Sequence, residues 1–182
     1  MQLHLACGKR YIPGFVHIDI EDFPHIDYRT SIDKLPMFSD GTVDLIYCCH
    51  ALPYFDRFQV VAVLTEWRRV LKLGGILRLA VSDFEALVHL YRKTGDLNQI
   101  LGPLFGRITV QTSEGDAVIY QRTTYDYKSL EELCLKAGFR SVRRYDWRQT
   151  IHKDYDDFSQ AYKPHMDKEH GFLISLNVEA LK

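Results

Sequence analysis

The fold is decided by the stretch LHLACGK at residues 3–9, which is followed by VHIDI at residues 16–20. Apolar residues alternate along both stretches, which predicts two short β-strands separated by a turn that contains Gly8. Asp19 then falls near the carboxyl end of the second strand, the edge at which open α/β sheets bind ligands. This order is typical of half a nucleoside pocket, in which the acid accepts hydrogen bonds from both ribose hydroxyls. The alternative role for Asp19 is a structural cap on the following loop.

The same stretch disfavours a dinucleotide site, and with it a nicotinamide-dependent reductase. Such a site has the pattern GxGxxG and an acid about 20 residues further along the chain. Here the turn reads ACGKRY, and Asp19 follows Gly8 by 11 positions. That spacing leaves no room for a full crossover helix that covers a pyrophosphate.

Composition favours one compact domain over residues 1–182, because 182 residues that are 46% hydrophobic can build a sizeable core. The net charge of −1 gives no overall field that would attract nucleic acid. No apolar run approaches the ~18 residues of a membrane span, so we expect no membrane and a cytoplasmic protein. The cysteines show no C-x-x-C pairing, which argues against a zinc site or a disulfide framework; they are Cys7, Cys48, Cys49 and Cys134.

The rest of the chain alternates strands with helices, which predicts parallel strand pairing and an α/β fold. Strands are predicted at residues 43–49, 76–81, 142–147 and 172–178. Between the first two, apolar residues at helical spacing predict a helix over 58–71 that Gly74 and Gly75 end. Ser82 and Ser129 are predicted to begin two further helices through capping boxes, and Gly95 and Gly138 to end them.

Two segments interrupt this alternation. Residues 107–121 predict an inserted hairpin with its turn at 113–116, a feature that commonly shapes an acceptor site. Residues 148–170 form a polar, aromatic-rich stretch, and a loop of this length in a compact domain is usually a lid or a binding segment. The alternatives for this stretch are a metal site and a solvated connection. The histidines and acids within it have no familiar ligand spacing, so we predict no metal.

Five blocks, taken in order, give the chain a resemblance to a known family. They are LACG at 5–8, IDI at 18–20, LP at 35–36 followed by VDLIY at 43–47, EWRRVLKLGG at 66–75 and GF at 138–139. In this order the chain resembles the class I S-adenosylmethionine (SAM)-dependent methyltransferases, and more narrowly a small bacterial, type 11-like group. The resemblance implies a Rossmann-like seven-stranded sheet with helices on both faces and an antiparallel last strand, here residues 172–178. It also implies SAM as cofactor and S-adenosylhomocysteine as product.

The resemblance further implies which residues bind the cofactor. By position they are Ala6, Cys7, Gly8, Asp19, Ile20, Ser31, Ile32, Cys49 and His50. The chain departs from the family pattern at two places. Ala6 replaces the first glycine of the family's GCG, and its methyl group is expected to tighten the turn and weaken cofactor binding. The family's HxLEH segment reads HALPY at residues 50–54, without the acid and the second histidine.

Methyl transfer requires mainly alignment and exclusion of water, so a base is optional. For a hydroxyl acceptor, His50, Tyr54 and His165 are the candidate bases by position, and Asp83 either orients the acceptor or caps a helix. The expected partner is a small polar acceptor, and the resemblance implies a sugar or a surface-polysaccharide precursor as one class. A second hypothesis, motivated by Ala6 and by Pro53-Tyr54, is a non-catalytic SAM-binding regulator or assembly partner. The oligomeric state stays open.

Overall fold

A seven-stranded sheet forms the centre of the computed structural model, which describes residues 1–112 and 115–182. Its strands are β1 (Gln2–Leu5), β2 (Phe15–Asp19), β3 (Tyr28–Arg29), β4 (Val43–Cys49), β5 (Leu71–Ser82), β8 (Ser141–Arg144) and β11 (Ser175–Leu181). They lie in the order β3-β2-β1-β4-β5-β11-β8. Only β11 runs antiparallel to its neighbours, β5 and β8. The predicted α/β fold, a Rossmann-like sheet with one antiparallel strand, is confirmed.

Four helices and two small two-stranded pairings complete the described structure. The helices are α1 (Val60–Val70), α2 (Phe84–Thr94), α3 (Asn98–Phe105) and α4 (Tyr127–Lys136). The pairings are a hairpin of β6 (Ile108–Thr112) with β7 (Gly115–Ile119), and β9 (Tyr162–Lys163) with β10 (Phe172–Leu173). Short 3₁₀ turns occupy Leu52–Tyr54, Trp147–Gln149, Ile151–Asp154 and Phe158–Gln160. Within the described chain, no helix has the length and apolar character needed to cross a membrane.

The main core lies between α1, α4 and one face of the sheet. Leu5, Ile46 and Leu79, from three neighbouring strands, are fully buried there. Trp67 of α1 is also fully buried, and its indole N–H donates to the carbonyl of Ile32 at 2.7 Å. The indole thereby loses no hydrogen bond on burial, and α1 is tied to the segment between β3 and β4.

The other face of the sheet carries polar side chains in one continuous row. The strand register places them side by side as His17, His4, Tyr47, Arg78, Glu179 and Arg143. A single segment, residues 147–160, covers the middle of this row with its three 3₁₀ turns. Its His152 stacks on Tyr47 with ring centroids 3.7 Å apart, and its Asp157 accepts the Tyr47 hydroxyl at 2.5 Å.

The charged members of this row are paired with one another: the buried Glu179 carboxylate lies between the mostly buried Arg78 and the exposed Arg143. The Glu179 carboxylate contacts Arg78 at 2.7 Å and Arg143 at 2.9 Å, and these two contacts lower its pKa against the opposing effect of burial. The Arg78 guanidinium also lies 3.2 Å from the His152 ring. A buried pair of this kind is costly to break, because the remaining charge would stay buried without a partner.

Several predicted boundaries are wrong by a few residues. The helix predicted to end at Gly74 and Gly75 ends at Val70 instead, and β5 begins at once. The β4–β5 register jumps between Val43, paired with Leu71, and Leu45, paired with Ile76, so the two glycines lie in an irregular part of the strand. Gly75 is required there because a Cβ atom would lie 2.9 Å from a backbone carbonyl oxygen.

Both predicted capping boxes also shift along the chain. Asp83, not Ser82, caps α2 by accepting the N–H groups of Glu85 and Ala86, while the Ser82 hydroxyl donates to a carbonyl of α3. Asp126 caps α4, and Ser129 is the third helical residue of a capping box instead of its first member. In both helices the N-cap residue is an aspartate. Aspartate and serine stabilise a helix N-terminus about equally well, so the sequence pattern did not show which of the two would be the cap.

The strands predicted over 142–147 and 172–178 have different boundaries in the structure. The strand predicted over 142–147 ends at Arg144, and Trp147 opens a 3₁₀ turn. The strand predicted over 172–178 is divided, since residues 172–173 pair with β9 and only β11, residues 175–181, joins the sheet. The continuous apolar run at 172–174 concealed this break. In the hairpin, Ser113 and Glu114 of the predicted turn lie outside the described residues, while Gly115 and Asp116 belong to β7.

We predict that the unfolding free energy falls as the pH drops from 7 to 4. Burial lowers the pKa of His4 to about 3 and that of His152 to about 3, from the usual histidine value of 6.5. The unfolded chain therefore binds protons that the folded chain does not, and each histidine removes up to about 1.4 kcal/mol per pH unit below ~6.5. Urea unfolding at a series of pH values measures the slope.

The variant His4→Phe isolates one contribution to this slope. The Nδ1 atom of His4 is buried without a hydrogen-bond partner among the described residues, so replacing His4 with phenylalanine removes no hydrogen bond at this atom. We expect a shallower pH dependence by about 1 kcal/mol per pH unit. The exposed His89, changed to Gln, serves as the matched control and leaves the slope unchanged. The same slope of unfolding free energy against pH in both variants would contradict this prediction.

Candidate functional site

A cavity of about 810 Å³ opens where β1, β2 and β4 end. This volume lies within the range of small-molecule sites, roughly 300–1,000 Å³. The inner end of the cavity is formed by the turn after β1, with Ala6 and Gly8, and by Asp19 and Cys49 at the ends of the next two strands. The cavity therefore lies at the carboxyl edge of the parallel strands, the edge at which the sequence pattern predicts a ligand site.

Asp19 joins the two turns that form this inner end. It is 6% exposed, its Oδ2 accepts the N–H of Gly8 at 2.8 Å and its Oδ1 accepts the N–H of Glu21 at 2.9 Å. A carboxylate oxygen can accept more than one hydrogen bond. The capping role and the ligand role considered for Asp19 are therefore compatible, because the bonds that fix its orientation leave acceptor capacity at the cavity wall.

Backbone strain is concentrated around the cavity. In the described part of the chain, the non-glycine residues with a left-handed backbone are Ala6 (φ 50°), His50 (φ 55°) and Met166 (φ 57°), and all three line the cavity. This conformation is unfavourable for residues that carry a Cβ atom. Strain of this kind clusters at functional sites, because the surrounding structure must enforce it.

The other residues expected to bind a cofactor also line the cavity; they are Cys7, Ile20, Ser31, Ile32 and His50. Burial raises the pKa of the Cys7 thiol to about 12 and raises that of Cys49 well above its usual value. Both side chains are therefore neutral thiols near pH 7. Thiolate, not thiol, is the nucleophile, so these cysteines shape the wall and do not act as nucleophiles.

His50 and Tyr54 are both held by the protein itself. His50 follows β4, its Nε2 lies 3.3 Å from the Ser175 hydroxyl, and burial lowers its pKa to about 4. It is therefore neutral near pH 7. The Tyr54 hydroxyl donates to the carbonyl of Gly106 at 2.6 Å, and burial raises its pKa. The Nε2 atom of His50 and the hydroxyl proton of Tyr54 are thus both directed at protein atoms.

The two remaining candidates for a catalytic role are placed very differently. His165 is exposed, lines the cavity, and has no hydrogen bond to its ring from any residue that the structure describes. Asp83 is not among the lining residues: it caps α2, and its Oδ2 contacts Arg144 at 3.3 Å. The helix-capping alternative for Asp83 fits this position, and three of the four candidates lie at one cavity.

The outer half of the cavity is built from segments whose individual residues the sequence did not reveal. It is lined by Phe55, Gly102, Pro103, Gly106, Arg107, Ile108, Val110, Ile119, Gln121, Phe158, Ala161, Tyr162, Lys163, Met166 and Ile174. The sequence pattern does predict that the hairpin and the long segment interrupt the alternation of strands and helices, and this was the only indication that they could contribute to a site. No periodicity shows which of their side chains turn inward.

The segment that forms one wall is anchored to the sheet. The amide nitrogen of Asn177, on β11, donates to the carbonyl of Ser159 at 2.8 Å, and the Gln160 amide donates to the carbonyl of His152 at 2.6 Å. Arg10, in the turn after β1, donates to the carbonyl of Asp156 at 3.0 Å, and its guanidinium carbon lies 5.3 Å from the centre of the Phe158 ring. The two walls of the cavity are thereby connected.

Residues 9–79 match the model of a family described as a methyltransferase domain. No curated protein matches the chain. Solved structures with a similar fold include a putative SAM-dependent methyltransferase from Listeria monocytogenes, 15% identical with a TM-score of 0.54, over 100% of this chain and 89% of that one. A SAM-dependent methyltransferase from Thermotoga maritima, described as a possible histamine N-methyltransferase, is 14% identical with a TM-score of 0.58, over 100% of this chain and 81% of that one.

A third similar structure is 1,6-didemethyltoxoflavin-N1-methyltransferase from Burkholderia thailandensis, which was solved with S-adenosylhomocysteine bound. It is 11% identical with a TM-score of 0.55, over 100% of this chain and 70% of that one. At such identities the likeness shows a common fold. The predicted resemblance is confirmed by this fold and by the family match together.

We predict that Ala6→Gly stabilises the protein by about 0.5–1 kcal/mol, because glycine adopts a left-handed backbone without a steric penalty. Ala161→Gly is the matched control, since Ala161 lines the same cavity with an ordinary φ of −74°. The control variant should be destabilised through the greater entropy of the unfolded chain. Chemical unfolding measures the unfolding free energy of both variants. A lower unfolding free energy for Ala6→Gly than for the wild type would contradict the prediction that Ala6 is strained.

Proposed function

We propose that the chain is a SAM-dependent methyltransferase, which its domain match and its fold support, and that it transfers the methyl group of SAM to a small polar acceptor in the outer half of the cavity. The observation that carries this proposal is the buried Asp19 carboxylate, fixed by two backbone N–H groups at the inner end. It supports a nucleoside at the inner end, and the outer half is left for the acceptor.

The inner end suits SAM in its chemistry. A Cβ atom added at Gly8 would meet nothing within 4 Å, so the turn after β1 leaves open space for a ligand close to the backbone. We assign the ribose hydroxyls to Asp19, the methionine part to the backbone of Ala6, Cys7 and Gly8, and the adenine to Ile20, Ser31 and Ile32. Cys49 and His50, which follow β4, are assigned to the region of the sulfonium.

SAM supplies a methyl carbon bound to a positively charged sulfur, so that the departing group leaves as a neutral thioether. The acceptor atom forms the new bond to this carbon while the carbon–sulfur bond breaks, and the acceptor then loses one proton. The protein's contribution is alignment and exclusion of water. Phe158, Ile108 and Ile174 supply the apolar walls that exclude water from the cavity.

His165 is the base that the geometry favours where the acceptor is a hydroxyl. Its ring is exposed at the cavity wall, whereas His50 contacts Ser175 and the Tyr54 hydroxyl already donates to a carbonyl. An imidazole ring is a suitable proton acceptor at neutral pH. For an acceptor atom that carries no proton, this role is not needed.

The proposed acceptor is a small molecule because the cavity that leads to the inner end has a volume of about 810 Å³ and a mostly apolar lining. The net charge of −1 disfavours nucleic acid. A sugar or a surface-polysaccharide precursor belongs to the range of small acceptors considered. We also propose a reducing, cytoplasmic compartment, since all four cysteines are free thiols.

We expect micromolar binding of SAM and S-adenosylhomocysteine, and no binding of NAD, in isothermal titration of the purified protein. Asp19→Ala should weaken the binding of both by more than fivefold, about 1 kcal/mol, because it removes charge-assisted hydrogen bonds to the ligand. Asp22→Ala is the matched control: Asp22 lies nearby in the sequence, is exposed and pairs with Arg29 outside the cavity. Equal affinities for the two variants would refute the role of Asp19.

Turnover separates the two candidate functions. Slow formation of S-adenosylhomocysteine that accelerates with an added acceptor, followed by mass spectrometry, is the result expected for an enzyme. Tight binding of SAM without turnover across many acceptors would favour a non-catalytic regulator, a candidate supported by the strained Ala6 at the position of a family glycine.

A further inference from the structure

The cavity is lined by charged residues of both signs. The acidic residues among the described lining are Asp19, at the inner end, and Glu21, whose carboxylate accepts the N–H of Gln111 in β6 at 3.4 Å. The inserted segments add Arg107, between α3 and β6, and Lys163, in β9, to the lining. These two cations line the cavity in addition to Arg10 of the turn after β1.

Neither cation has an acidic partner within ion-pair distance among residues 1–112 and 115–182. Some basic side chains outside the cavity are paired, such as Arg69 with Glu66 at 2.8 Å and Lys168 with Asp156 at 2.9 Å. The unpaired cations thus lie where a ligand can supply the opposite charge.

The uncharged polar side chains of the outer half of the cavity are already engaged with the protein. The Tyr54 hydroxyl donates to a carbonyl, and the Tyr162 hydroxyl accepts a hydrogen bond from Arg148 at 2.9 Å. The amide nitrogen of Gln121, in its satisfied orientation, donates to the carbonyl of Pro103 at 3.0 Å. Few uncommitted neutral groups remain to recognise the hydroxyls of an uncharged sugar.

The rest of the outer lining is apolar, with Ile108, Ile119, Ile174 and Phe158 around the two cations. Walls of low polarity strengthen the attraction between a bound anion and a cation, because less water screens it. The planar guanidinium of Arg107 matches a carboxylate or a phosphate in a two-point contact, and Lys163 adds a compact point charge. An ammonium group beside these two cations would meet like charges.

Resting on the function proposed above, we propose that the methyl acceptor is a small anion that carries a carboxylate or a phosphate on an apolar body. Arg107 and Lys163 bind the anionic group, and the isoleucines and Phe158 contact the apolar part. The two cations determine specificity and orientation, and the methyl transfer itself proceeds as described for the proposed function.

The test uses the whole protein saturated with S-adenosylhomocysteine and four probes that share one phenyl ring. Benzoate and phenyl phosphate carry the two anionic groups, whereas benzyl alcohol and benzylamine supply the neutral and cationic comparisons. In isothermal titration we expect at least one anion to bind 10-fold or more tightly than the alcohol and the amine. Its affinity should fall as the NaCl concentration rises. The stronger of the two anions distinguishes a carboxylate acceptor from a phosphate.

Variants assign the effect to the two cations. Arg107→Gln and Lys163→Gln should each weaken the anion fivefold or more and leave the affinity for S-adenosylhomocysteine within twofold. Arg140→Gln and Lys153→Gln are the matched controls, because both residues are exposed and outside the cavity lining, and they should leave anion binding unchanged.

The outcomes distinguish this inference from the function on which it rests. Tight binding of S-adenosylhomocysteine with equal or better binding of the alcohol or the amine, or with no probe preferred, overturns the anionic acceptor and leaves the methyltransferase intact. Variants that behave like their controls overturn the roles of Arg107 and Lys163. Failure of the wild-type protein to bind S-adenosylhomocysteine overturns the proposed function itself, and the anionic acceptor with it.

Discussion

The short connection between β1 and β2 is the constraint on which the rest of the structure depends. Residues 6–14 must return the chain to the start of a parallel neighbour, a path that ordinarily takes a dozen or more residues and a helix. The connection achieves it with left-handed turns at Ala6, Gly8 and Gly14. It consequently supplies no helix for the second face of the sheet, and it brings the backbone N–H of Gly8 to the carboxylate of Asp19.

The face left without that helix is completed by polar chemistry. A row of histidine, tyrosine and charged side chains crosses it, and the 3₁₀ turns of residues 147–160 cover the row. Such a layer is stable only when its polar groups are paired or neutral, which is why Glu179 has two arginine partners and His152 stays uncharged. The covering segment continues into Phe158 and Lys163, so the second face of the sheet and the outer wall of the cavity are stabilised together.

The fold was largely predictable from the sequence, whereas the cavity was predictable only at its inner end. Val43–Cys49 is a short, mostly apolar run typical of a strand buried on both faces, and the helix with Trp67 has apolar residues at helical spacing, so both elements were predictable. Ends of elements were less predictable because serine and aspartate cap equally well, as at Ser82 and Asp83, and because glycines at an irregular strand resemble a helix stop. The outer wall escaped prediction, since Arg107 and Lys163 lie in inserted segments whose orientation depends on packing against distant residues.

The sequence by itself determined the class of fold, the strand–turn–strand unit with Asp19 at its end, and the resemblance that implies SAM, because these depend on local patterns and their order along the chain. The tertiary structure alone decided that Asp83 caps a helix away from the cavity, that residues 147–160 cover a polar sheet face, and that two unpaired cations line one cavity. Each of these depends on contacts between residues far apart in sequence, and such contacts cannot be predicted from local periodicity.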